Sequence, residues 1–127
     1  MASAVLDTSA LLAFVHGEPG AELVARVIGD SMVSTVNFAE AVTALVRRGS
    51  TLDEARDALE VAEFDLVDFD RAQAEAAGDL ITRTRARGLS LGDRACIALA
   101  VREGVPAFTA DRAWKEIKLP AEVRLIR

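Results

Sequence analysis

Residues 4–12 read Ala4-Val5-Leu6-Asp7-Thr8-Ser9-Ala10-Leu11-Leu12, and the change of character at Asp7 decides the fold. Ala4, Val5 and Leu6 form a short run without a polar side chain, as a strand covered on both faces requires. From residue 9 the pattern becomes helical over residues 9–15, with Asp7 or Thr8 available as the cap. A buried strand that ends on an acid and runs straight into a helix is how a parallel α/β sheet begins.

The rest of the chain continues this alternation. Residues 18–28 are expected to form an amphipathic helix bearing Leu23, Val24, Val27 and Ile28, and residues 31–36 a second strand. A helix over residues 37–48 stops at Gly49. Another covers residues 51–62, with Asp53 and Glu54 in its first turn, where the helix dipole favours negative charge. In residues 64–69, Phe64, Leu66, Val67 and Phe69 alternate with Asp65 and Asp68, which fits an edge strand. A long helix is expected over residues 70–87, ending at Gly88, and a buried one over residues 91–102, ending at Gly104. Residues 106–110 read as a strand, 111–117 as a short helix and 123–126 as a last strand, with Pro19, Pro106 and Pro120 between periodic segments. The expected fold is α/β in three layers: a mainly parallel central sheet of about five strands with helices on both faces.

The 127 residues fit one domain spanning 1–127, and 51% of them are hydrophobic. A domain of this length buries roughly two-thirds of its unfolded surface, enough for a real core. The longest apolar runs, such as residues 10–15, fall well short of a membrane span, and the first residues carry no basic signal region. A cytoplasmic protein without a membrane partner is expected. The single cysteine, Cys96, rules out an intrachain disulfide framework and a cysteine-based zinc site. A net charge of −5 argues, taken alone, against a nucleic-acid partner. The cations are nevertheless nearly all arginine: the only lysines are Lys115 and Lys118, while Arg47-Arg48 and Arg83, Arg85 and Arg87 cluster. Arginine's planar fork suits phosphate, although it equally suits a solvated helix face.

In an open parallel sheet, ligands collect beyond the carboxyl ends of the strands. Asp7 ends the first strand and Asp111 follows the strand at residues 107–110. Glu40 is expected on the first turn of the helix leaving the second strand, and Asp93 on the first turn of the helix leading to residue 107. If the four converge, they need a cation: two like charges about 4 Å apart repel by about 4 kcal/mol at an effective dielectric near 20. Mg²⁺ or Mn²⁺ relieves that repulsion, and Mg²⁺ keeps waters and shares its shell with phosphate oxygens. The arrangement suits metal-assisted phosphodiester hydrolysis. Each acid also has a simpler role open to it. Asn37 to Glu40 is a capping-box pattern, Ser90 to Asp93 nearly one, and Asp7 and Asp111 can cap the helices they precede.

Other chemistry finds less support. His16 is the only histidine and sits beside Gly17, as a turn residue would. A paired-histidine mechanism is therefore out. Cys96 shares an apolar face with Ile97, Leu99 and Ala100 and reads as core. Trp114 could stack on a base, but packing of the last helix accounts for it as well.

Val5-Leu6-Asp7-Thr8-Ser9-Ala10-Leu11-Leu12, Asn37-Phe38-Ala39-Glu40, Leu91-Gly92-Asp93-Arg94-Ala95 and Phe108-Thr109-Ala110-Asp111-Arg112 resemble, in order, the four acidic motifs of PIN-domain nucleases. In length and wording the chain is most similar to VapC-type toxins of VapBC toxin–antitoxin pairs. The resemblance implies a PIN-like fold and an endoribonuclease with Mg²⁺ or Mn²⁺ at Asp7, Glu40, Asp93 and Asp111. It implies that Ser9 and Thr109 support the carboxylates, and that the partners are an RNA substrate, a cognate antitoxin and a second copy in a homodimer. Arg47, Arg48, Arg85, Arg87, Arg94 and Arg112 are the candidates for RNA contact. Trp114 departs from the phenylalanine of many relatives.

Two alternatives stand beside this reading. A receiver-like phospho-acceptor domain is also small, α/β, acidic and magnesium-binding; it would use Asp68 or Asp70 at the end of a middle strand, and Lys115. A PIN-like scaffold that only binds partners is the other.

Overall fold

A computed structural model describes residues 2–84 and 88–127. Strand β1 (Ala4–Leu6) leads into α1 (Thr8–His16) and α2 (Ala21–Ala25), then a 3₁₀ turn at Ile28–Asp30 and β2 (Ser31–Ser34). There follow α3 (Thr35–Arg47), α4 (Leu52–Glu60), β3 (Asp65–Val67), α5 (Arg71–Asp79), α6 (Ile81–Thr84) and α7 (Leu91–Glu103). Strand β4 (Ala107–Thr109), a 3₁₀ helix at Arg112–Glu116 and β5 (Val123–Leu125) complete the order.

The strands lie in the order β3-β2-β1-β4-β5, and every pairing among the described residues is parallel. The expected three-layer α/β fold is present. Successive strand side chains point to opposite faces, and the two cores follow from that. Ala4 and Leu6 pack with Leu11, Val24, Leu45 and Leu59, beneath α1 to α4. Val5 turns the other way, to Ala77, Ile97, Leu99 and Trp114, beneath α5 and α7. Full burial of each such leucine contributes about 1.5–3 kcal/mol. Among the described residues no helix is long and apolar enough to cross a membrane.

This strand order contains one reversal. Connections from β1 step outward through β2 to β3, and the chain then returns past β1 to β4. The crevice between the carboxyl ends of β1 and β4 is the switch point where open α/β sheets bind ligands.

Several element boundaries differ from expectation. The strand expected over residues 31–36 ends at Ser34, whose hydroxyl caps α3 by accepting from the Val36 amide at 3.3 Å. Thr35 and Val36 favour strands in isolation, yet the cap and a helix face that buries Asn37, Ala41 and Leu45 override that preference. The helix expected over 18–28 shrinks to α2, because Gly20 takes φ +99° and a Cβ there would strike the Ile126 carbonyl. The long helix expected over 70–87 is interrupted at Leu80, whose carbonyl accepts from the amides of both Arg83 and Thr84; residues 85–87 lie outside the described set. The strand at residues 64–69 is shorter than expected but does lie at a sheet edge.

Candidate active site

Asp7 is the first residue past β1, and only 4% of its surface is exposed. Its Oδ1 accepts from the Ser9 hydroxyl at 2.7 Å and from the Ala10 amide at 2.8 Å, which also caps α1. Its Oδ2 accepts from the Thr109 hydroxyl at 2.5 Å. These donors favour the carboxylate, yet burial outweighs them: together with the nearby charge of Asp93 it raises the pKa from 3.8 to about 6. Asp7 is thus a carboxylate held in place with no counter-charge paired to it among the described residues.

Thr109 ends β4 and binds in two directions. It donates to Asp7 and accepts from the Asp111 amide at 3.0 Å, while the Ser9 oxygen accepts from the Ala110 amide at 2.9 Å. Through these bonds the chain around Asp111 is fastened to the end of β1. The Asp111 carboxylate itself is exposed, and its Oδ1 accepts from the Ala113 amide at 2.9 Å, capping the 3₁₀ helix.

Glu40 lies in the second turn of α3, not the first, because that helix starts at Thr35. Its Oε1 accepts from the Thr8 hydroxyl at 2.6 Å and from the Asn37 amide at 3.5 Å. The Asn37 amide also donates to the Gly92 carbonyl at 3.0 Å, which brings the start of α7 beside α3. Asp93 follows at once. Its Oδ2 accepts from the Ser90 amide at 3.0 Å within a complete capping box.

Asp7 and Asp111 thus follow the carboxyl ends of β1 and β4, and Glu40 and Asp93 lie on α3 and α7, which Asn37 joins at Gly92; the four do not form the tight pocket expected from sequence. Among the described residues no three histidine, cysteine, aspartate or glutamate side chains close into a ready-made chelating group. Capping and site placement coexist: Asp7, Asp93 and Asp111 all cap helices, whereas Asn37 does not cap α3, since Ser34 does. Each acid keeps an oxygen lone pair that no hydrogen bond among the described residues takes up. All these donors are hard carboxylate oxygens, which suit Mg²⁺ or Mn²⁺ and not a thiolate-bound metal. Cys96 stands near Asp7 and Asp93, but burial first, then the two negative charges, push its thiol pKa well up and keep it protonated.

The arginines divide. Arg112 is exposed immediately beside Asp111. Arg94 is half-buried and its Nη1 donates to the Ala77 carbonyl of α5 at 2.9 Å, so it packs two helices together and does not face the acids. Arg47 and Arg48 are exposed at the far end of α3, about 10 Å of helix rise beyond Glu40. Arg85 and Arg87 lie outside the described residues. The receiver-like alternative loses its geometry: Asp68 and Asp70 follow β3, which is an edge strand, and the Asp70 carboxylate caps α5 through the Gln73 amide. Trp114 is fully buried, which leaves it no face for a base. Sequence reasoning missed Thr8 and Gly92 as neighbours of Glu40, and it paired Asn37 with Glu40 only as a capping box, whereas the Asn37 amide donates to Glu40 and to the Gly92 carbonyl. The signal for Asn37 was its i, i+3 spacing from Glu40, which places both on one helix face.

Comparison with known proteins bears on the family and the fold. The PIN domain family model matches residues 4–119. The DNA-bound VapBC structure from Salmonella typhimurium superposes with a TM-score of 0.75 at 14% identity, covering 100% of both chains. VapC20 from Mycobacterium tuberculosis, described as a Sarcin-Ricin loop cleaving toxin, gives 0.73 at 22% identity, covering 90% of this chain and 94% of that one. VapBC-5 from the same organism gives 0.66 at 24% identity, covering 100% and 99%. No curated protein matches the sequence.

Proposed function

This chain belongs to the PIN domain family, and on that premise we propose that it is a divalent-metal-dependent endoribonuclease, the toxin of a toxin–antitoxin pair. The observation that supports this most is Asp7: a buried carboxylate, oriented by two hydroxyls and an amide, beside a second negative charge and with no basic side chain paired to it among the described residues. A fold that needed only a helix cap could place it at the surface, where an ionised carboxylate costs nothing to solvate.

Asp7, Glu40, Asp93 and Asp111 would hold Mg²⁺ or Mn²⁺. Because these acids do not form a ready-made chelating group, water and RNA phosphate would complete the shell of a bound ion. When bound, the ion supplies an acidified water and charge neutralisation at the scissile phosphate. The chain supplies position. Ser9 and Thr109 donate to Asp7 and fix the orientation of its carboxylate at the ends of β1 and β4. The Asp93 carboxylate is held at the start of α7 by the Ser90 amide. Arg112, beside Asp111, is the described arginine best placed to meet the RNA backbone.

The VapBC structures are complexes of a toxin with its antitoxin. By that likeness the partner here is a cognate antitoxin that covers the acidic edge, and the active form is a cytoplasmic homodimer. The test is cleavage of RNA with Mg²⁺ or Mn²⁺, with EDTA, and with metal restored. The proposal requires cleavage that EDTA stops and either ion restores. Cleavage that persists in EDTA, or none with any divalent ion, rules it out.

A further inference from the structure

Gly92 is the second residue of α7, a 13-residue helix, and its φ is not positive, so its backbone has no need of glycine. Glycine is also a weak helix former, second only to proline. What requires it is the Glu40 side chain: a Cβ built on Gly92 would lie 2.6 Å from both the carboxyl carbon and Oε2 of Glu40, nearer still to Oε1. The Glu40 carboxylate occupies the space that any other residue at position 92 would fill.

Two further contacts keep it there. The Thr8 hydroxyl donates to Oε1 of Glu40 at 2.6 Å. Asn37, only 1% exposed, spreads its amide hydrogens over the Gly92 carbonyl at 3.0 Å, Thr8 Oγ1 at 3.2 Å and Glu40 Oε1 at 3.5 Å. A carbonyl and a carboxylate only accept, which fixes the amide nitrogen on that side. The buried Oδ1 of Asn37 has no partner among the described residues, so the amide gives up one bond to hold α1, α3 and α7 together.

We infer that Thr8 and Gly92 are positioning residues for Glu40: the first orients its carboxylate by a hydrogen bond, and the second leaves open the space at the start of α7 in which that carboxylate sits. The inference rests on reading the four acids as one metal site.

The test is calorimetric titration of Mn²⁺ into wild-type protein and the variants Gly92→Ala, Thr8→Val and Thr8→Ser, with melting in EDTA and RNA cleavage measured alongside. Gly92→Ala displaces only the end of a flexible side chain, so it melts at or above the wild-type temperature. Its Mn²⁺ affinity nevertheless falls by about tenfold or more, as loss of a ligand-orienting contact does. Thr8→Val loses affinity similarly, Thr8→Ser regains it, and in both deficient variants kcat falls more than KM rises. Wild-type affinity in both Gly92→Ala and Thr8→Val, with metal binding intact in the parent, overturns the inference and leaves the site standing. Absence of Mn²⁺ binding in the parent protein overturns the metal site, and the inference with it. If Gly92→Ala does not fold, the valine–serine contrast at position 8 decides.

Discussion

The Thr109 hydroxyl donates to Oδ2 of Asp7, joining the ends of β4 and β1 across 102 positions of sequence. This bond closes the crevice where the strand order reverses, and the acid it holds is the one buried against its own ionisation. The same side chain thus shapes the site and weakens the fold.

That conflict sets a pH dependence. The Asp7 pKa is raised from 3.8 to about 6 in the folded state, so folded protein binds this proton more tightly than unfolded chain does. The stability linked to Asp7 is complete below pH 3.8 and is lost as pH rises towards 6, by about 3 kcal/mol in all. Asp7→Asn removes the slope. In EDTA, the stability of the variant relative to wild type should rise between pH 4 and pH 7, measured by urea unfolding. A flat difference across that range contradicts the assignment.

Thr109→Val keeps the shape and removes the donor. Above pH 6 it leaves a buried anion short of a hydrogen bond, and the expected loss is about 1–3 kcal/mol. The loss should shrink near pH 4, where Asp7 is protonated in the folded chain. Denaturation at the two pH values reads the difference directly.

Divalent ions should act in the opposite sense to Asp7 ionisation. An ion that binds only the folded state at about a hundred times its Kd adds about 2.7 kcal/mol. Mn²⁺ should therefore raise the melting temperature of the wild type and do so far less for Asp93→Asn. Equal shifts in the two proteins would place the ion elsewhere.

Trp114 separates base stacking from packing. It is fully buried within the core beneath α5 and α7, and its Nε1 has no partner among the described residues. Trp114→Ala should cost about 3–5 kcal/mol and Trp114→Phe markedly less. RNA binding by the folded Trp114→Phe protein should match wild type. A selective loss of RNA affinity would return Trp114 to the interface.

Much of this was legible from residues alone, and for a physical reason. The run Ala4 to Leu6 is apolar on both faces and ends on an acid, which allows little but a central parallel strand. The placement of Asp7 and Asp111 at strand ends followed from that. What could not be read were relations that depend on where helices start and cross. Val36 looked like strand until Ser34 capped the helix ahead of it. Arg94 looked available to phosphate, but its guanidinium turns inward to a carbonyl of α5. The seat of Glu40 over Gly92 joins residues 52 positions apart, and no local pattern marks it.

The account stands on one ion shared by four distant acids, and paramagnetic broadening tests that directly. Substoichiometric Mn²⁺ added to ¹⁵N-labelled protein should bleach the amides around Asp7, Glu40, Asp93 and Asp111 together, at the same concentration, and leave the acidic helix α4 unaffected. Bleaching confined to one of the four, or centred on Asp53, Glu54 and Asp57, would contradict the account.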